Sequence, residues 1–430
     1  MLVENIVAFF ESGIAAAFLP AVLFISGAIF FIRMARYVFT PAFFRKYLSV
    51  GGKSTSSLFL ALGGTLGVGN ICGVASAIYI GGPGCVFWIW VCAFFSAITK
   101  YVESLLAVHY KNTEGGGAFS YIEKGTHSKL LAQIFATLCI LTAFTMGNVT
   151  QVKAAAGFAE ISLGLPTIAS ATVFFFAVLI FACGKGKTVV SFTTYAVPVL
   201  CCLYSLCCSA VIVIHAKDII PLTKQIFNCA FTPAAGISGV WGYLCSPALR
   251  LGITRGIMSN EAGCGTAPIA YCSQPNALPV KCGLLGVIEV LVDTLLLCTL
   301  TAYAVLLSKA PLSPTSAQSV IHAFESTLGS FIAPVITISV FLFALASVGA
   351  WSFYAISCAK YLKARKGFFI LFSVLYPLTS FVGCFISEKS SWFLSDLSIS
   401  LMAITNIIVL LLLSDKAKKI TLSAFNSSKS

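Results

Sequence analysis

Apolar runs of about twenty residues recur along this chain, each closed by a short polar or basic stretch. A bilayer core about 30 Å thick takes roughly 20 apolar residues to cross as a helix, so each run predicts a membrane-spanning helix. Eleven are expected, near residues 13–32, 57–80, 85–108, 129–159, 166–183, 188–214, 250–273, 283–307, 331–359, 367–387 and 396–413. Barrel strands would alternate every second residue, and these runs do not. The expected fold is an all-α polytopic membrane protein.

Two runs are interrupted. Gly63-Gly64-Thr65-Leu66-Gly67-Val68-Gly69-Asn70 and Ser259-Asn260-Glu261-Ala262-Gly263-Cys264-Gly265-Thr266 set glycines and polar residues inside apolar segments. Backbone broken at membrane depth has N–H and C=O groups that lipid cannot satisfy, so it lines a cavity or binds something. With the first run set aside, ten remain, and the breaks open two units of five. Five is odd, so the second unit enters from the opposite side, giving a five-plus-five inverted repeat with two discontinuous helices. The expected parts are an extra N-terminal helix and cytoplasmic loop (1–56), a first repeat (57–214), an extracellular loop (215–249), a second repeat (250–413) and a cytoplasmic tail (414–430).

Composition agrees: the 430 residues are 58% hydrophobic and 10% charged, against about 25% charged in soluble domains. The net charge of +13 comes from basic residues between spans rather than one patch, so no nucleic-acid partner is expected. With the N-terminus outside, the outer face receives Lys153, Lys217, Lys224, Arg250, Arg255, Lys309 and Lys389, leaving 20 of 27 Lys and Arg, Lys100 among them, for the cytoplasm. That bias predicts N-out, C-in in the plasma membrane, or the inner membrane of a Gram-negative cell. Glu4 and Glu11, with no basic residue beside them, argue against a cleaved signal peptide. The 17 cysteines fall mostly in apolar runs without zinc or disulfide spacing, and read as small packing residues.

The breaks carry the candidate chemistry. Glycines such as Gly67, Gly69 and Gly263 permit positive φ and close backbone approach. One half-helix then offers N–H groups to a carboxylate, and the other offers carbonyls to Na⁺ or an ammonium group. A zwitterionic amino acid suits both, although a packing kink remains the simpler alternative. Asn70 and Asn260 either bind ligand or cap freed backbone. Glu261 is either functional, or a carboxylate bonded to unwound backbone or paired with Arg255. Asn148 and Gln151, three apart, are expected on one helix face looking at another helix or a cavity. Glu289, Asp293 and Thr294 suggest an ion or proton route or a buried network. Ser347 and Trp351, four apart, can complete a cation shell and wall a small pocket, or simply pack. No enzyme site emerges: His109, His127, His215 and His322 have no matching cluster, and Gly184-Lys185-Gly186-Lys187-Thr188 lacks phosphate-loop spacing.

Several blocks resemble the alanine or glycine:cation symporter family, a branch of the amino acid–polyamine–cation transporters with the LeuT-type fold. They are Gly69-Asn70-Ile71 through Ala75, Gly81-Gly82-Pro83-Gly84 through Trp88, Lys100-Tyr101 to Glu103, Ser120 through Gly125, and Gly147-Asn148 with Gln151. Arg255-Gly256, Ser259 through Gly263, Ala267 through Ala270, Asp293-Thr294 and Leu401 through Ile404 continue the match over nearly the whole chain. The resemblance implies Na⁺-coupled uptake of alanine or glycine, with substrate between the broken helices, walled by Gln151 and Trp351. Carbonyls near Leu66 and Gly69, with the Ser347 hydroxyl, are the expected Na⁺ ligands. No cofactor beyond the coupling ion and no obligate protein partner are expected. The chain departs from the family at Val68, usually threonine, at Ala346-Ser347, usually Ser-Thr, at Ala350, usually glycine, and at Ile356, commonly glutamate. Two of these changes remove hydroxyls near the expected site, which bears on the ion and the exact substrate. Proton coupling through Glu289 or Asp293 is the alternative within transport. A non-transporting receptor or a channel is the alternative outside it, without the signalling domain or axial subunit repeat expected of either.

Overall fold

A computed structural model of the chain describes residues 13–49, 55–112, 115–184, 186–232 and 246–427. Glu4, Glu11, Lys53, Lys185, Lys429 and part of the expected extracellular loop lie outside the described residues. Among those described there are only helices, turns and one isolated bridge between Asn112 and Gly115. The helices are α1 (Gly13–Val38), α2 (Pro41–Ser49), α3 (Thr55–Thr65), α4 (Cys72–Gly81), α5 (Cys85–His109), α6 (Ala118–Thr126), α7 (Lys129–Phe144), α8 (Thr150–Leu163), α9 (Thr167–Cys183) and α10 (Lys187–Ile214). They continue as α11 (Ile219–Ala230), α12 (Pro247–Asn260), α13 (Ala267–Cys272), α14 (Pro279–Val290), α15 (Thr299–Leu307), α16 (Ser316–Leu328), α17 (Ile332–Tyr361), α18 (Lys366–Gly383), α19 (Glu388–Leu412) and α20 (Ser414–Ser427).

Among the described residues, eight continuous helical runs are long and apolar enough to cross a membrane, and α3 with α4 forms a further span bent by 57°. The shorter apolar α9 and the interrupted α12–α13 pair occupy the two remaining expected spans. Pi-helical turns at Thr145–Val149 and Leu291–Cys298 join α7 to α8 and α14 to α15 without ending the span. Such turns re-aim side chains within a continuous helix.

The packing places each of three spans against its counterpart five spans later: α5 on α14, α7 and α8 on α17, and α9 on α18. An inverted repeat, its halves related by a pseudo-two-fold axis in the membrane plane, would give this pattern. α17 is the central helix, 72% buried over its apolar window, whereas α18 is only 28% buried there. The outward residues of the peripheral helices are large and apolar, as at Phe176, Ile180, Val199, Leu206, Ile370 and Val374. Facing lipid, such residues cost nothing.

Helix ends sort onto two sides, as alternating spans require. On one, Arg33 pairs with Asp415 at 3.0 Å, Lys111 donates to the Gln274 carbonyl, and Tyr361 bonds Glu123 at 2.7 Å. On the other, Lys309 pairs with Asp218 at 2.7 Å, Trp88 donates to Ala230 at 2.8 Å, and Ser316 bonds Glu388. Lys100 and Arg255, counted with the loop charges above, are instead buried inside the helix bundle and belong to neither side. The segment expected as a tail forms α20, which buries Ala417 and Thr421 against the bundle.

Candidate functional site

The first break follows from its glycines. α3 stops at Thr65, Gly67 is extended (φ −132°, ψ −153°), and Val68–Asn70 make one 3₁₀ turn before α4. A Cβ on Gly67 would sit 2.4 Å from Gln151 Oε1, so a larger residue here would push the Gln151 amide out of the break. Gln151 enters the break: its Oε1 accepts from the Val68 N–H at 3.0 Å, and its Nε2 donates to the Met146 carbonyl at 3.3 Å.

Asn70 joins the first break to the second and to the pi turn after α14. Its Nδ2 donates to Ser259 Oγ at 2.8 Å, to Asp293 Oδ1 at 2.7 Å and to the Asp293 carbonyl at 2.9 Å. Ser259 in turn donates to Asp293 Oδ2 at 2.6 Å, and Thr294 donates to the same oxygen at 2.7 Å. These side chains are all buried. One carboxylate and two hydroxyls thus meet at the Asn70 amide NH₂, while the Asn70 Oδ1 turns back to the Gly67 N–H at 3.4 Å. Hard oxygen donors of this kind suit Na⁺ rather than a soft metal. The void beside them, lined by Leu66, Gly67, Asn70, Ile71, Tyr204, Leu297 and Phe343, has a volume of only about 10 Å³. That admits about one water.

The second break is shaped by left-handed backbone at Glu261 (φ +53°), Gly263 (φ +80°) and Gly265 (φ +78°). Glu103 on α5 holds it, accepting from the Gly263 and Gly265 N–H groups at 3.1 Å each. Asn260 caps freed backbone, its Oδ1 accepting from the Ala262 N–H at 2.9 Å. Glu261 accepts from Thr266 at 2.6 Å and from the Trp351 indole at 3.1 Å. It does not pair with Arg255, contrary to one of the alternatives above. Arg255 reaches Asp396 at 3.1 Å instead, because it lies more than a helical turn earlier on α12 and Asp396 faces it from α19.

The other expected residues divide. Ser347 donates to the Gly64 carbonyl at 3.0 Å, so it touches the first broken helix before Leu66. Gly69 backs onto Met258 and Ser259 of α12. Trp351 packs on Gly147 so closely that a Cβ there would meet the indole at 2.3 Å. Asn148 and Gln151 do not share a face: Asn148 donates to the Tyr376 carbonyl of α18 at 2.9 Å, while Gln151 turns to the break. The pi turn Thr145–Val149, which contains Asn148, is the cause, since it offsets residues that an α-helix would align. Gly263 faces Ile407 and Leu23, and its N–H is taken by Glu103. Glu289 and Asp293 also part company. Glu289 pairs with Lys100 at 3.1 Å and accepts from Tyr271 at 2.8 Å.

Sequence reasoning missed Lys100, Glu103, Tyr271, Thr266 and Asn406 as site residues. Asn406 donates to the Gly263 carbonyl at 2.9 Å. The available signal was Lys100 and Glu103 themselves, an opposite-charge pair three apart inside an apolar span.

A model described as the sodium:alanine symporter family matches residues 1–430. The chain is 33% identical to a sodium/alanine symporter of Methanococcus maripaludis over 374 residues, covering 83% of this chain and 81% of that protein. It is 32% identical to a probable sodium/glutamine symporter of Bacillus subtilis over 368 residues, 83% of this chain and 75% of that one. The crystal structure of MhsT in complex with L-phenylalanine superposes with a TM-score of 0.55 at 14% identity, covering 87% of this chain and 98% of that one. That likeness identifies the LeuT-type fold. With broken helices, packing and family match in agreement, the chain belongs to the sodium:alanine symporter family.

Proposed function

We propose that this protein imports a small neutral amino acid, alanine or glycine, together with Na⁺ by alternating access. The observation that carries the reading is the Asn70–Ser259–Asp293–Thr294 cluster, which ties both broken helices to one buried set of oxygens. A cation bound there is sensed by both halves at once, and coupling requires a ligand whose affinity differs between the two access states. Substrate belongs beside the first break, with Gln151 and Trp351 trimming the space, while the repeats 57–214 and 250–413 rock against each other. A relative named for glutamine makes substrate size the open variable between members. The proposed orientation is N-out and C-in in the plasma membrane.

Proton coupling is the second reading, favoured by the buried carboxylate at the node between the breaks. Asp293 is the better placed carrier, since Glu289 is already engaged by Lys100 and Tyr271. Uptake of radiolabelled alanine, glycine and glutamine into proteoliposomes, with Na⁺ and H⁺ gradients imposed separately, tests both readings. Alanine or glycine accumulation driven by Na⁺ alone is expected. Accumulation that follows only the pH gradient overturns Na⁺ coupling, and preferential accumulation of glutamine overturns the substrate.

A further inference from the structure

We propose that Lys100 is a tethered cation, its ammonium filling a monovalent-cation site built between the second break and α14. The site is assembled from three elements. Lys100 Nζ donates to the Asn260 carbonyl at 2.6 Å and lies 3.1 Å from Glu289 Oε1 and 3.9 Å from Glu103 Oε1. All of these side chains are fully buried. Neither Oε1 has a partner other than the ammonium, which each faces. The companion Oε2 atoms are committed elsewhere, Glu103's to the Gly263 and Gly265 N–H groups and Glu289's to the Tyr271 hydroxyl.

Asn260 is the last residue of α12, so its carbonyl belongs to the negative end of a half-helix. Two carboxylates beside such an end, out of reach of water, are held ionised only by a positive charge among them. The chain supplies it from α5 on a flexible stem, as a compact point charge that can take the place of a small ion. Held covalently, this cation cannot be exchanged with either side of the membrane. The second break therefore contributes no free ion at this position.

Chemical rescue tests the site on purified full-length protein, independently of transport. Melting temperatures of wild type, Lys100→Ala and Lys100→Met are compared in ammonium, methylammonium and choline chloride at matched ionic strength. Lys100→Ala should melt several degrees below wild type and regain most of the loss, saturably, with ammonium or methylammonium but not choline. Lys100→Met, whose side chain fills the same space, should show no such recovery. A Lys100→Ala protein that responds to methylammonium no more than wild type overturns the proposal. If Lys100→Ala does not fold, the double variant Lys100→Met/Glu289→Gln decides, because it removes the ammonium together with one opposing charge. It should be recovered folded and melt above Lys100→Met. If it does not, Lys100 acts by packing and the proposal falls, whatever the outcome of the uptake experiments.

Discussion

Asp293→Asn preserves volume and removes one charge from the node between the broken helices. The carboxylate accepts from Asn70 at 2.7 Å, from Ser259 at 2.6 Å and from Thr294 at 2.7 Å. Both hydroxyls can turn, so an amide NH₂ on the Oδ2 side can donate to Ser259 or Thr294 while the remaining oxygen keeps Asn70. The network then loses charge assistance but no member, and the variant should fold. A hydrogen bond or contact to a charged group contributes about 1.5–3 kcal/mol, against about 0.5–1.5 for a neutral one. The difference of about 1–1.5 kcal/mol should weaken Na⁺ binding about 5- to 13-fold. The Na⁺ concentration for half-maximal alanine uptake should rise accordingly, with a smaller change in maximal rate. The assay is uptake into proteoliposomes over a Na⁺ series at fixed pH, with the melting temperature measured alongside. An unchanged Na⁺ requirement in a folded variant refutes the placement of the ion at this node. Loss of a pH-gradient response with the Na⁺ response intact transfers coupling to protons.

Ser347→Ala removes the bond to the Gly64 carbonyl and, if a cation also binds near Leu66, Gly69 and Ser347, should raise the Na⁺ requirement more than it alters maximal uptake; an unaltered requirement rules out that second position. Gln151→Ala leaves the Val68 N–H without its acceptor, a loss of about 1–3 kcal/mol, and should weaken alanine binding to purified protein at least tenfold. Equal affinity would separate Gln151 from the substrate. Trp351→Ala opens space against Gly147 at a stability cost of about 3–5 kcal/mol, and should admit leucine; leucine binding no better than wild type moves the pocket elsewhere. A cytoplasm-only fluorescent reporter fused after Ser430 should light up, whereas a dark fusion with an active periplasmic phosphatase at the same point reverses the orientation.

The spans and both breaks were legible because each depends on local composition. Twenty apolar residues suffice to span a bilayer, and Gly67 or Gly263 breaks a helix wherever the chain runs. Partners were not legible in the same way. Asn148 and Gln151 were expected together from α-helical spacing, and a single pi turn parted them. Arg255 lies near Glu261 in sequence, yet the fold offers Asp396 from α19. Lys100 looked like one more basic residue near a helix end, and its burial beside Glu103 and Glu289 follows only from α5 packing between α12 and α14.

The sequence by itself determined that the chain crosses a membrane many times, that two spans are broken, and that polar groups gather at the breaks. These are short-range consequences of hydropathy and glycine. The tertiary structure decided which polar group serves which break. Gln151 and Asn70 satisfy the first, while Glu103, Lys100 and Asn260 satisfy the second, leaving Asp293 between them. That assignment depends on distances of about 3 Å between helices far apart in sequence. A buried donor or acceptor left unpaired costs as much as any single contact contributes, so the helices settle where most of those groups find partners.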